Sequence, residues 1–419
     1  MSGKMGAPAS HQEEDQRRDF RWLLGSMSVD DFFERYYEKQ FLHLADRDVG
    51  YFESIFSADA FEKLVYQSHD AVRANLTCIR TVKIESRIIT EREVGVPARF
   101  FSKSLLSSLQ AILNDGYALV VMHVNQNWPP LARLLHELEV FFLNPLDTVL
   151  FYSPPKIQGA PPHFDPYDNY ILQIAGEKHW KIFNPKVVLP LHSQLRSVSD
   201  ESLGDPVAEL RMRPGDLLYL PRGVIHETSC GEEPSIHLTL YNYAYRWRDV
   251  LCDIIERLAE QEVALRRSVP LSVSREIACG ASAQEAGVTE TLASLLHYCL
   301  ANFATAGSVG RHARRLVDNL LPLELGNVDA YLQGELDGSQ CVAKRQGMVC
   351  YVYDEGDNVV IGFPGGKLSG PASIKPLLQF IARASEPFLL SELPGALSLR
   401  SKEAVVRRLV REGLLFFPA

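Results

Sequence analysis

The chain has 419 residues, with 43 Lys and Arg against 52 Asp and Glu, for a formal net charge of −9. This balance excludes binding to nucleic acid through overall charge and leaves only a local basic patch for that role. Hydrophobic residues at 46% and charged ones at 23% fit a globular protein, and the length exceeds the roughly 250–300 residues that one core serves, so more than one domain is expected.

Residues 1–19 carry charge, Ser, Gly and Pro without an apolar period and read as a disordered tail. They lack the apolar core of a secretory signal, and nowhere does an apolar run approach the roughly 18 residues of a membrane span. The expectation is a soluble cytoplasmic protein that makes no membrane contact, nuclear or nucleolar if the source is eukaryotic. "DDFFERYYEKQFLHL" and "ADAFEKLVYQS" have helical spacing, with Ser28, Asp30 and Asp31 suited to a helix start. "YALVVMHV" reads as a strand that leads through Trp128, Pro129 and Pro130 into the helix "LARLLHELEVFF".

Between Asp147 and Tyr245 the pattern changes to short apolar runs broken by Gly and Pro, among them "TVLFYSPP", "YDNYILQIAG", "KHWKIFNP", "GDLLYLPRG" and "SIHLTLYNY". Several short strands with turn residues between them predict a barrel or double-sheet jelly roll. Beyond Trp247 helices return, and "VLCDIIERLAEQEVALRR" places Val250, Leu251, Ile254, Ile255, Leu258, Val263 and Leu265 near one stripe, which predicts a two-fold interface and a homodimer. From Arg311 onward a hairpin, "MVCYVYDEGDNVVIGF", joins further helices, the ingredients of a winged-helix-like unit. The seven cysteines are odd in number, widely spaced and never form C-x-x-C, which argues against a disulfide framework or structural zinc.

The chemistry concentrates in "PPHFDPYDNYILQIAGEKHWKIFNP". On an extended segment, side chains two positions apart share a face, so His163 and Asp165 can address one ion. A third ligand would complete a two-His, one-carboxylate facial triad that keeps coordination positions open on ferrous iron. His226, in "GDLLYLPRGVIHET", is the candidate, and the 63 intervening positions leave room for strands to return the chain to its earlier part. A co-substrate that chelates iron through an oxo-acid end and carries a second carboxylate needs a buried cation, and Lys178 can supply it. Asn125, Asn127 and Tyr170 are further candidates for the pocket, while Trp180, Ile182 and Phe183 read as core.

These segments, with "HLTLYNYAYRWRDVL", closely resemble the JmjC-type ribosomal oxygenases, cupin-superfamily protein hydroxylases dependent on Fe(II) and 2-oxoglutarate. The resemblance is sharp from about Gly116 to Val250. It implies an α+β protein: a double-stranded β-helix (jelly roll) with flanking helices over 20–249, a helical dimerisation region over 250–310 and a winged-helix-like domain over 311–419. It implies that His163, Asp165 and His226 bind iron and that Lys178 holds the distal carboxylate of 2-oxoglutarate. Phe151 and Tyr241 stand near the co-substrate where many relatives carry other residues, a tyrosine-type hydroxyl and a serine. The implied reaction is hydroxylation of a peptidyl side chain, with a ribosomal-protein His or Arg favoured. The alternatives are a tailoring hydroxylase of another peptide or a small metabolite and, in a different class, a non-catalytic module whose basic helix "SKEAVVRRLVREG" touches nucleic acid or a protein. For that helix a solvated face backed by Val405, Val406, Leu409 and Val410 is the preferred reading, and nucleic acid is not expected as a partner.

Overall fold

The computed structural model describes residues 18–67, 75–84, 87–94, 105–194, 203–280, 288–302, 308–320, 338–345 and 347–418. The tail expected over 1–19 lies outside them apart from its last two residues, and Asp19 belongs to the fold, because its carboxylate accepts from the Trp22 amide at 3.0 Å and caps the first helix. The chain divides into two units, 1–244 and 245–419. Among the described residues no helix is long and apolar enough to cross a membrane.

In the first unit, helices α1 (Phe20–Leu24), α2 (Val29–Arg35), α3 (Ala58–Gln67), α4 (Leu105–Asn114) and α5 (Pro129–Phe142) flank two antiparallel sheets. The strands are β1 (Leu42–Leu44), β2 (Leu76–Ile84), β3 (Arg87–Val94), β4 (Ala118–Val121), β5 (Leu146–Ser153), β6 (Asp168–Ala175), β7 (Lys178–Phe183), β8 (Ala208–Met212), β9 (Leu217–Leu220), β10 (Ile225–Cys230) and β11 (Ser235–Asn242). The large sheet runs β1-β9-β6-β11-β5-β4-β2-β3 and the small one β10-β7-β8, the two layers of a double-stranded β-helix.

A period of two organises the large sheet. On β11, Ile236, Leu238 and Leu240 join the core beneath the helices, whereas His237, Thr239 and Tyr241 face a cavity between the sheets. On β6, Tyr170 and Leu172 go to that core while Asn169 and Ile171 face inward. On β4, Leu119 and Val121 go out, and Ala118 and Val120 go in. Each fully buried leucine on the helix side contributes about 1.5–3 kcal/mol over an exposed one. A one-residue slip would exchange the two faces, so burial of the outer set fixes which residues reach the cavity. Inside, Trp180, Ile182, Leu218, Leu220 and Met212 form a separate apolar cluster.

Two expectations need correction. The helix read through "DDFFERYYEKQFLHL" ends at Arg35; Glu38 takes a positive φ of 57°, and Leu42–Leu44 continues as β1 paired with β9. The strand read in "YALVVMHV" is β4; the jelly-roll strands were otherwise expected from Asp147 onward, yet β2 and β3 extend the same sheet from earlier in the chain.

The second unit begins with helices α6 (Trp247–Gln261), α7 (Val263–Arg266), α8 (Leu271–Ala278), α9 (Thr289–Ala301) and α10 (Ser308–Asn319). The expected stripe splits: Val250, Ile254 and Leu258 are buried with Tyr298 and Cys299 against them, whereas Leu251, Ile255 and Val263 are exposed. Asp253, buried on α6, is clasped by Arg311 at 3.5 Å and Arg315 at 3.0 Å. A further core brings together β12 (Cys341–Lys344), β13 (Tyr351–Glu355), β14 (Asn358–Phe363), β15 (Gly366–Pro371), β16 (Phe388–Leu389), α11 (Lys375–Arg383), α12 (Leu399–Arg411) and β17 (Leu415–Phe416). The expected hairpin is β13–β14, closed by Gly356 and Asp357 between the paired Glu355 and Asn358.

Candidate metal centre

Residues 157–163 run antiparallel to β10 as an irregular additional strand. Gly159 N–H donates to the Thr228 carbonyl, and His163 and His226 exchange both backbone bonds at 3.1 and 2.8 Å. The approach requires Gly159, since a Cβ there would lie 2.2 Å from Thr228 Oγ1. "HFD" is therefore held by an isolated bridge rather than a regular strand, but its alternation survives. Phe164 turns away to pack with Phe183 and Ile225, and His163 and Asp165 line the cavity.

His226 is delivered by the "PRG" turn. Gly223 adopts φ 91°, and a Cβ on it would meet the Val187 carbonyl at 2.5 Å; its N–H donates to the Asp165 carbonyl, tying the turn to the residue that shares the site. Arg222 is buried and donates from its backbone and guanidinium to Asp168 at 3.0 and 3.1 Å, with Glu38 at 2.6 Å on its other arm. This ion-pair triad sets the start of β10 and thereby the imidazole on it.

One ligand atom each from His163, Asp165 and His226 lies within 4.8 Å of the others, a spacing at which all three can reach one ion. The two rings stand 4.3 Å apart. His163 Nδ1 lies 2.8 Å from the Pro161 carbonyl and His226 Nδ1 lies 3.1 Å from the Val224 carbonyl. A carbonyl only accepts, so each Nδ1 carries the proton and each Nε2 presents a lone pair. Burial and the neighbouring His163 hold His226 down at about 4, keeping it neutral as a ligand must be. Asp165 Oδ2 accepts from Asn169 Nδ2 at 2.6 Å, which fixes the carboxylate. Two imidazoles and one carboxylate on one side suit a divalent first-row metal with open positions.

The cavity between the sheets is narrow, with a volume of about 70 Å³. Lys178 lines it, only 2% exposed, with its Nζ donating to Ser153 Oγ at 2.6 Å. Among the described residues it has no carboxylate partner, and burial pulls its pKa down. Phe151 also lines the cavity, stacked on His237 at 4.8 Å and 9°. Tyr241 lines it too, its hydroxyl pushed well above the ordinary value by burial and by Asp165, and packs on Tyr167, which touches the exposed Tyr243.

Tyr170 is not a pocket residue; it is fully buried on the helix side of β6, and its neighbour Asn169 faces the cavity instead. Asn125 and Asn127, at a short 3₁₀ turn, do not line the cavity either. Trp180, read as core, does line it. His237, Thr239, Ser153, Asn169 and Thr228 were not picked out from the sequence, although the alternation of "SIHLTLYN" marks His237 and Thr239. The basic helix α12 buries Val406, Leu409 and Val410, and two of its arginines are engaged, Arg407 with Glu403 and Arg408 with Glu412.

Residues 121–250 match the family model described as the JmjC domain. Over 325 residues the chain is 25% identical to the bifunctional lysine-specific demethylase and histidyl-hydroxylase NO66 of Aedes aegypti, covering 75% of this chain and 50% of that protein. It is 29% identical over 295 residues to mouse ribosomal oxygenase 2, covering 66% of this chain and 60% of the relative. The chain thus spans about half to three-fifths of these relatives. Among solved structures, Escherichia coli YcfD superposes with a TM-score of 0.52 at 19% identity over 94% of this chain and 99% of its own, a likeness of fold.

Proposed function

We propose, from the match of residues 121–250 to the JmjC-domain model, that this chain is an Fe(II)- and 2-oxoglutarate-dependent oxygenase that hydroxylates a side chain of a protein or peptide, with a ribosomal-protein His or Arg as the favoured target. The observation that carries this reading is the convergence of His163, Asp165 and His226 within 4.8 Å, with both imidazole Nε2 atoms left for a metal. Relatives named ribosomal oxygenase and histidyl-hydroxylase support the reaction class. A fold neighbour solved with cobalt and 2-oxoglutarate supports the co-substrate.

In this reading His163, Asp165 and His226 hold the ferrous ion, and Lys178 neutralises the far carboxylate of 2-oxoglutarate. Bound together, iron and 2-oxoglutarate supply oxygen activation, with decarboxylation to succinate and insertion of one oxygen atom into a C–H bond. No side chain acts as a nucleophile. The protein holds the open ligand set, keeps bulk water out with apolar walls such as Ile171 and Val120, and orients the target carbon. Tyr241, Tyr167 and Tyr243 lead from the cavity toward the surface and form the rim on which the substrate side chain would rest. Incubation with Fe(II), 2-oxoglutarate and oxygen tests the proposal: succinate should form and a peptide from a ribosomal-protein digest should gain one oxygen atom. Succinate with no modified peptide would move the substrate to a small metabolite.

The homodimer is part of the same proposal. Leu251, Ile255, Leu271, Leu292, Leu296 and Leu300 are exposed on the helices of 247–301, more apolar surface than an isolated helical face normally shows to water. A concentration-independent monomer mass by sedimentation would contradict it.

A further inference from the structure

Lys178 pairs in register with Cys230 on β10, four residues along that strand from His226, so it marks the end of the cavity remote from the metal ligands. That end is rich in donors that nothing uses. Among the described residues, Trp180 Nε1 is buried without a hydrogen-bond partner, and so is His237 Nδ1. His237 is held by packing, flat on Phe151 and edge-on to Trp180 at 5.7 Å. Burial and the nearby Lys178 hold it neutral, so it carries one N–H. Leaving such groups unpaired costs free energy, and both line the cavity beside the buried Lys178 ammonium.

Counting the unused donors identifies the ligand. Lys178 has three N–H groups, of which Ser153 and Cys230 engage two; with the Trp180 indole and neutral His237 three remain, converging donors that suit the acceptor-only oxygens of one carboxylate. Phe151, against His237, offers no hydroxyl that could compete.

We propose that His237 and Trp180 complete, with Lys178, a three-residue seat for the remote carboxylate of the co-substrate, and that His237 makes this seat selective for a dicarboxylate. The inference rests on the 2-oxoglutarate reading above. His237 is thus a positioning residue for the co-substrate rather than a ligand of the metal.

Calorimetric titration of the Mn(II)-loaded protein tests it with two probes, 2-oxoglutarate and 2-oxopentanoate, which share the oxo-acid end and differ in the remote carboxylate. His237→Leu should weaken 2-oxoglutarate about 10- to 100-fold, the range for a hydrogen bond to a charged group, and leave 2-oxopentanoate unchanged. Either His237→Asn or His237→Gln should recover part of the loss, and Trp180→Phe should weaken 2-oxoglutarate alone by a smaller factor. Equal weakening of both probes, or of neither, would overturn the proposal. If the unaltered Mn(II) protein binds neither probe, the co-substrate reading itself fails and takes this inference with it.

Discussion

The two ends of the cavity treat their polar atoms in opposite ways. At the metal end the candidate ligands are braced: His163 Nδ1 by Pro161, His226 Nδ1 by Val224, and Asp165 Oδ2 by Asn169. At the far end the donors of Lys178, Trp180 and His237 are buried and under-used. One end is organised in advance by hydrogen bonds, and the other holds donors beside a buried ammonium that a carboxylate would satisfy together. The contrast teaches that the metal site should survive without its co-substrate, whereas the lysine end is a standing cost to the apoprotein.

The largest expected effect breaks the contrast at the far end. Lys178→Met should cut 2-oxoglutarate affinity on the order of 100-fold, because the carboxylate would be buried without its cation. It should also stabilise the apoprotein by about 1–4 kcal/mol, since an unpaired buried charge is removed. Opposite signs in calorimetry and in a urea melt would sharpen the comparison, and a destabilised apoprotein would break it. A smaller effect is expected at the metal end: Asn169→Ala releases Asp165 and should weaken Mn(II) roughly 10- to 100-fold while changing the pairing of Lys178 not at all.

The smallest effect is on pH. His226 sits at about 4 against an ordinary 6.5, so below 6.5 the unfolded chain takes a proton that the folded chain refuses. Apoprotein stability should be full above about pH 6.5 and decline as the pH falls toward 4; His237, lowered in the same direction, adds to the trend. Urea melts at pH 7 and pH 5 check this, and His226→Gln should reduce the difference.

Much of this site was legible because strand alternation and turn residues are local signals. His163 and Asp165 two apart, the "PRG" turn before His226, and Lys178 with Trp180 on one face of β7 can all be read along the chain. Parity misled at Tyr170, which sits one position from the true cavity residue Asn169, because a strand buried on both faces has no polar side to mark. His237 is harder to read for a related reason: its neighbours are as buried as it is, so the alternation of "SIHLTLYN" assigns it a face without saying which face is the cavity. The membership of β2 and β3 in the large sheet depends on long-range pairing that no short window contains. The end of α2 depends on a left-handed Glu38, a residue with no special propensity for that conformation.

Anaerobic titration of the apoprotein with Fe(II), alongside His226→Ala, goes to the centre of the account. One tightly bound ion per chain, lost in the variant, is the expected result. Equal binding by both proteins would mean that the ion sits elsewhere, and the oxygenase reading would fall.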